Sequence, residues 1–118
     1  MIRRHAVLLA AACLICASPA LAHATLVTSS PAKDSSVPAP RTIRLAFSEK
    51  IAPAFSGFKL SMDDGMVMDV VTRLSEDGKI LTGTPTAAFM KGRYTLSWHA
   101  ASVDDGHKTE GSFSFTVK

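Results

Sequence analysis

The sequence predicts an all-β domain, a single Greek-key β-sandwich or β-barrel of about seven strands. Apolar and polar residues alternate with a period of two over most of the chain, which is typical of half-buried strands. Turn-forming residues separate the alternating runs, and no window carries apolar residues at helical spacing. Short strands at this spacing favour an antiparallel sandwich or barrel over a helical or α/β fold.

Four alternating runs carry the strand signal in chain order, and Asp/Gly-containing segments at 63–65, 76–78 and 104–106 predict tight turns between strands. In each run the apolar side chains fall on one face, which we expect to form the core. These faces are Ile43, Leu45 and Phe47; Phe58 and Leu60; Tyr94, Leu96 and Trp98; and Phe113, Phe115 and Val117.

Residues 1–22 have the layout of a secretory signal peptide. Arg3 and Arg4 precede an apolar run over residues 6–16, and the small residues around Leu21 in Ala20-Leu21-Ala22 form a cleavage signature. The run is shorter than the roughly 20 residues that span a bilayer, so a cleaved signal is favoured over a retained membrane helix. We therefore expect an exported protein whose mature chain, residues 23–118, is one small domain.

The cysteines argue against a redox site or a disulfide in the mature chain, and the net charge argues against a nucleic-acid-binding protein. Cys13 and Cys16 both lie in the predicted signal, so their spacing predicts neither a redox site nor a disulfide in the mature chain. Without Arg3 and Arg4 the mature chain has 11 basic and 10 acidic residues, a net charge of about +1 with neutral histidines. Such a balance argues against nucleic acid as a partner.

Two segments together predict a metal site. Cleavage after Ala22 makes His23 the first residue, and a free α-amine beside an imidazole is a bidentate chelate. In Asp105-Gly106-His107 a carboxylate and an imidazole at i and i+2 project to the same side of an extended segment. The alternative is a solvated loop in which Asp105 makes an Asx-type turn.

The chemistry of these donors favours copper. Amine and imidazole nitrogens with one carboxylate oxygen suit a tetragonal Cu(II) centre, and the stability order of divalent metals also favours Cu(II). Zinc accepts the same atoms and is not excluded by ligand type. His99, which follows Trp98, is expected to be exposed and is a candidate outer partner of the metal site.

A second cluster contains three methionines. Met62, Met66 and Met68 surround the predicted turn at 63–65, and thioethers favour Cu(I) over harder ions. Methionine is also an adaptable core residue, and packing on two strands of a hairpin is the favoured interpretation. Met90 is assigned to packing.

Several linked motifs, in order along residues 23–118, resemble the CopC family of periplasmic copper-binding proteins, including its YobA-like members. The motifs are the start His23-Ala24-Thr25-Leu26-Val27, the Ser30-Pro31 turn, the strand end Leu45-Ala46-Phe47-Ser48-Glu49, the element Phe55-Ser56-Gly57-Phe58-Lys59-Leu60, the pattern G-x-Y-x-x-x-W in residues 92–98 and the pattern D-x-H-x-x-x-G in residues 105–111.

The resemblance implies an immunoglobulin- or cupredoxin-like β-barrel with a Cu(II) site formed by His23, Asp105 and His107. It also implies a non-enzymatic periplasmic copper carrier that hands copper to an inner-membrane copper-transport protein of CopD type, in resistance or homeostasis. This chain has one extra residue around 103–105, so Asp104 is the alternative carboxylate. Some members have a Met/His-rich Cu(I) loop in the region of Met62, but the loop of this chain is short and lacks histidine.

Two further classes of function are compatible with the residues. An amine and imidazoles also form the histidine brace of copper oxidative enzymes, although the few aromatic residues suggest no exposed platform for a substrate. A metal-free immunoglobulin-like interaction module is the other alternative. Copper-dependent oxygen consumption would indicate the oxidative enzyme. The absence of copper-dependent stabilisation would indicate the metal-free module.

Overall fold

The structure is a computed structural model that describes residues 23–118, so the predicted signal peptide lies outside the described residues. Within that range no helix has the length and hydrophobicity of a membrane-spanning segment, and the one helical element is the 3₁₀ turn Pro53–Phe55. The strands are β1 Leu26–Ser30, β2 Ser36–Val37, β3 Ile43–Phe47, β4 Gly57–Met62, β5 Val67–Met68, β6 Val70–Leu74, β7 Ile80–Pro85, β8 Gly92–Ala101 and β9 Lys108–Val117.

These nine strands form two sheets. One has the strand order β1-β3-β7-β6 and the other the order β2-β9-β8-β4-β5, and every pairing is antiparallel except that of β2 with β9. Each sheet keeps two edge strands, so the described residues form an open sandwich. The predicted sandwich is therefore confirmed, and the closed barrel, given as an alternative and implied by the resemblance, is wrong.

The predicted strand number agrees with the seven strands that have five or more residues. The two others, β2 and β5, have two residues each and are too short to show an alternating pattern. Tertiary pairing with β9 and β4 defines them, and this information is absent from the local sequence.

The core lies between the sheets and contains the predicted apolar faces. Burial of one such side chain contributes about 1.5–3 kcal/mol to folding. Trp98 is half-buried and packs edge-to-face against Phe47, with ring centroids 5.4 Å apart. Ala24 and Ile51 are also buried, although no strand pattern predicted them. The buried members of the predicted faces are Ile43, Leu45, Phe47, Phe58, Leu60, Tyr94, Leu96, Phe113, Phe115 and Val117.

A glycine in β7 permits the close approach of the two sheets. A Cβ at Gly83 would lie 2.2 Å from Cζ of Phe58 and 2.4 Å from Cγ1 of Val70, far inside van der Waals contact. The Phe58 ring, which comes from the opposite sheet, occupies this space instead. Close packing of this kind fixes how the sheets lie on each other.

The fold brings residues 23–25, the predicted start of the mature chain, to the loop between β8 and β9. In the β1–β3 pair Leu26 lies opposite Phe47, so residues 23–25 continue past the end of β3 beside Ser48. The segment after β3 pairs with the same loop through a bridge between Ile51 and Ser102. Residues distant in sequence therefore meet at one end of the sandwich.

Candidate metal centre

The loop between β8 and β9 has a defined geometry. The N–H of Gly106 donates to the carbonyl of Ser102 at 2.9 Å, and the N–H of Ser102 donates to the carbonyl of His107 at 3.0 Å. Gly106 has a φ of 68°, in the left-handed region that glycine adopts without a steric penalty. His107 is therefore held immediately before β9, where its side chain is exposed.

Asp105 accepts a hydrogen bond within the D-x-H motif. Its Oδ1 accepts from the backbone N–H of His107 at 2.9 Å, the Asx-type turn that the sequence offered as the alternative. This bond is the main reason why the pKa of the Asp105 carboxyl lies below its ordinary value, and the nearby imidazoles of His23 and His107 also lower this pKa. Asp105 is thus an ionised, exposed carboxylate at neutral pH, the form in which carboxylates bind metals.

The rings of His23 and His107 lie against each other. Their centroids are 3.8 Å apart and their planes make an angle of 62°. Metal–imidazole bonds are about 2.0–2.1 Å long, so two nitrogens on one ion are at most about 4 Å apart. The two rings are therefore in contact, and side-chain rotations that move them apart would direct one nitrogen of each at a common ion.

The Nδ1 atom of His23 supports this interpretation. It is buried and has no hydrogen-bond partner among the described residues. Buried polar atoms normally have a partner, so an orphaned nitrogen beside a second imidazole requires an explanation. Nδ1 is also the ring nitrogen closer to the backbone, and it closes a six-membered chelate ring with an α-amine on the same residue. If cleavage occurs before His23, as the sequence predicts, the donor set fits a metal ion.

The complete ligand set is not assembled from side chains alone. Within residues 23–118 no group of three or more histidine, cysteine, aspartate or glutamate side chains is arranged to hold a metal ion. His23 and His107 are brought together, whereas the Asp105 carboxylate is turned toward the His107 backbone. Asp104, the alternative carboxylate, is exposed in the same loop. A metal site here needs the α-amine as a further donor.

His99 is exposed, as predicted. It lies on β8 directly opposite Glu110, and its ring lies close to Gly57, where a Cβ would be 3.4 Å from the imidazole Cε1. The imidazole of His99 thus packs over Gly57 of β4, and its role as an outer partner of the metal site stays a prediction.

The methionines line a separate cavity of about 190 Å³ whose lining also includes the fully buried Tyr94. Met62 and Met68 are half-buried and pack against the core, as the packing interpretation predicted. The packing assignment of Met90 is wrong, because this side chain is 58% exposed. Hydrogen bonds between its backbone and the Tyr94 hydroxyl hold it at the rim. The packing interpretation is also wrong for Met66, which is 55% exposed. Met66 lines the same cavity, so four methionines share it.

Sequence reasoning missed the residues that hold the segment 23–25. Ala24 is fully buried, and the hydroxyls of Ser48 and Thr109 bind the carbonyls of His23 and Ala24. One signal was available for Thr109, because it shares the inward register of Phe113 in β9. A polar side chain on an inward face needs a partner.

Comparison with known proteins reveals clear relatives. The CopC domain model matches residues 26–118. Copper resistance protein C of Xanthomonas campestris pv. juglandis is 43% identical over 95% of this chain and 92% of its own length. Protein YobA of Escherichia coli K12 is 38% identical over 82% of this chain and 80% of its own. The crystal structure of PcoC, a methionine-rich copper resistance protein from Escherichia coli, is 36% identical and superimposes with a TM-score of 0.75 over 82% of this chain and all of PcoC.

Proposed function

The chain belongs to the CopC domain family, and from that premise we propose that it is a periplasmic copper-binding protein that acts in copper resistance or homeostasis. Relatives that cover most of the chain are named copper resistance proteins, which supports copper as its cargo. The signal-peptide layout of residues 1–22 supports export to the periplasm.

The proposed cargo is Cu(II), bound at the end of the sandwich where the start of the mature chain meets the loop between β8 and β9. The observation that carries this proposal is the contact between the rings of His23 and His107 beside an orphaned, buried Nδ1. The α-amine and Nδ1 of His23, one imidazole nitrogen of His107 and a carboxylate oxygen of Asp105 would supply three nitrogens and one oxygen. Such a set suits tetragonal Cu(II).

The site is suited to transfer rather than permanent retention. His107 and Asp105 are both exposed, so an acceptor can reach an ion bound there. We propose that copper passes to an inner-membrane copper-transport protein of CopD type. Delivery of this kind needs no chemical turnover, and the protein is accordingly proposed not to be an enzyme.

Thermal unfolding of the mature protein with increasing Cu(II) tests this function. A ligand that binds only the native state at 100 times its Kd contributes about 2.7 kcal/mol, roughly 10–20 °C in Tm for a domain of this size. We expect a shift that grows with copper concentration. A constant Tm would favour the metal-free interaction module, and copper-dependent oxygen consumption with a reductant would favour an oxidative enzyme.

The methionine cavity supports a second candidate function, the binding of Cu(I). Soft thioethers favour Cu(I), and the sharing of one cavity by Met62, Met66, Met68 and Met90 goes beyond the three-residue cluster visible in the sequence. The description of the relative PcoC as a methionine-rich copper resistance protein is in line with such a role.

The double variant Met66→Leu/Met90→Leu tests the Cu(I) site. Both side chains are exposed and leucine has a similar volume, so the fold should be retained while two thioethers are lost. We expect a decrease in Cu(I) affinity of about 10-fold or more, measured anaerobically against a chromophoric chelator, with Cu(II) affinity unchanged. Val71→Leu, at an exposed position outside the lining of this cavity, is the control. Equal Cu(I) affinity in the double variant and the control would refute the site.

A further inference from the structure

The hydroxyl of Ser48 uses its full hydrogen-bonding capacity on the first residues of the mature chain. Its Oγ accepts from the backbone N–H of Thr25 and from the Thr25 hydroxyl, both at 3.0 Å, and it donates to the carbonyl of His23 at 3.3 Å. A hydroxyl has one donor and two acceptor positions, so all three are engaged. The Ser48 backbone N–H adds a bond to the Thr25 carbonyl at 2.9 Å.

The hydroxyl of Thr109 holds the same segment from the other sheet. Its Oγ1 donates to the carbonyl of Ala24 at 2.6 Å, and the alternative acceptor, the carbonyl of Ala100, is at the longer distance of 3.5 Å. Ala24 is fully buried between these supports. Residues 23–25 are thus bound by β9 on one side and by the segment after β3 on the other.

The segment that contains Ser48 also holds the loop that carries His107. The N–H of Val103 donates to the carbonyl of Lys50 at 3.0 Å, and the N–H of Ala52 donates to the carbonyl of Ala101 at 2.8 Å. One short stretch, residues 48–52, therefore binds both halves of the proposed copper site. It can fix the distance between the two halves before any ion arrives.

We infer that Ser48 and Thr109 are positioning residues for copper: their hydroxyls hold the His23 and Ala24 carbonyls so that the new α-amine is directed toward His107 and Asp105. The inference rests on the proposed function, because it concerns the same Cu(II) site. The hydroxyls bind the carbonyls of His23 and Ala24, so they constrain the residue that carries the α-nitrogen once the signal is removed. With the His23 carbonyl held, rotation about its Cα–C bond is the main backbone freedom left to the amine. Ordering the amine in advance removes an entropic cost from copper binding.

A comparison in two backgrounds tests this inference. Cu(II) affinity is measured by competition with a chelator in the mature protein and in an amine-blocked chain, the same domain preceded by Gly-Ser-Gly-Ser-Gly-Ser. In the mature protein, Ser48→Ala and Thr109→Val are each expected to lower affinity by about 10–100-fold, the range for removing a group that orients a metal ligand. In the amine-blocked chain neither substitution should lower it further, because no amine remains to be positioned.

Conservative variants and a matched control separate positioning from stability. Ser48→Thr and Thr109→Ser keep the hydroxyls and should retain most of the affinity. Thr95→Val removes a comparable hydroxyl from β8, where Thr95 contacts Ser114, and should leave affinity unchanged. An equal loss from Ser48→Ala in both backgrounds would show a general structural effect and overturn the inference, as would unchanged affinity in the mature protein. If the amine-blocked chain binds Cu(II) as tightly as the mature protein, the proposed function itself fails, whatever the result for Ser48.

Discussion

Blocking the α-amine of His23 is expected to lower Cu(II) affinity by more than about 100-fold, because loss of a group that merely orients a ligand already costs about 10–100-fold. In the amine-blocked chain the nitrogen of His23 is an amide, so it no longer closes a chelate ring with Nδ1. The extension must be long. One or two added residues would bring a new amine and backbone nitrogens to the same imidazole and create a different copper site.

The pH dependence of Cu(II) affinity is a second test of the α-amine as a ligand. A terminal amine has a reference pKa of about 7.7–8.0 and must lose its proton to bind a metal, so affinity in the mature protein should rise through this range. The amine-blocked chain should lack this rise. Because the pKa of the Asp105 carboxyl is lowered, this group is already ionised and does not contribute to the rise. Equal affinities and equal pH profiles for the two chains would contradict the role of the amine.

His107→Ala is expected to produce a loss of similar size, more than about 100-fold, because it removes the imidazole that lies 3.8 Å from the His23 ring. His99→Ala is the matched control. His99 is also an exposed histidine on the same hairpin, but it lies against Gly57, and its removal should change affinity by less than about 3-fold. A larger loss from His99→Ala than from His107→Ala would move the site to the end of β8.

Measurement of Cu(II) affinity also distinguishes the two candidate carboxylate ligands, Asp105 and Asp104. Asp105→Asn keeps an oxygen that can accept the His107 N–H, so the turn should survive while the negative charge is lost. We expect a decrease of about 10-fold for Asp105→Asn and little change for Asp104→Asn. The reverse order would assign the carboxylate ligand to Asp104, and no effect of either substitution would exclude both.

The sequence was sufficient for the fold class because each long strand carries its own alternating pattern. Tyr94 and Leu96, for example, are fully buried, as the period of two predicted. The choice between sandwich and barrel was not predictable, since closure depends on pairing between edge strands and not on the local pattern of any strand. The two-residue strand β2 is defined by its parallel pairing with β9, which no local pattern contains.

The candidate site was predictable in part, because local motifs mark some of its residues and not others. His23 and His107 stood out because of a cleavage signature and a short motif, and the structure places their rings in contact. The supports of the site were harder to predict, because Ser48 and Thr109 act through hydrogen bonds to backbone atoms that any residue at positions 23 and 24 would offer. The inward register of Thr109 in β9 was the one available signal, and it does not name the partner. Met90 is distant in sequence from the other three methionines, and the tertiary fold brings it to the methionine cavity.

Paramagnetic resonance of the cupric protein most directly tests whether one ion joins the start of the mature chain to the D-x-H loop. At one equivalent of Cu(II) we expect a single tetragonal species with three nitrogen donors, two of them imidazoles and the third the amine of His23. Substitution of His107 and blocking of the amine should each remove one nitrogen from this same species. Two independent copper species, or a spectrum that neither change alters, would contradict a shared ion.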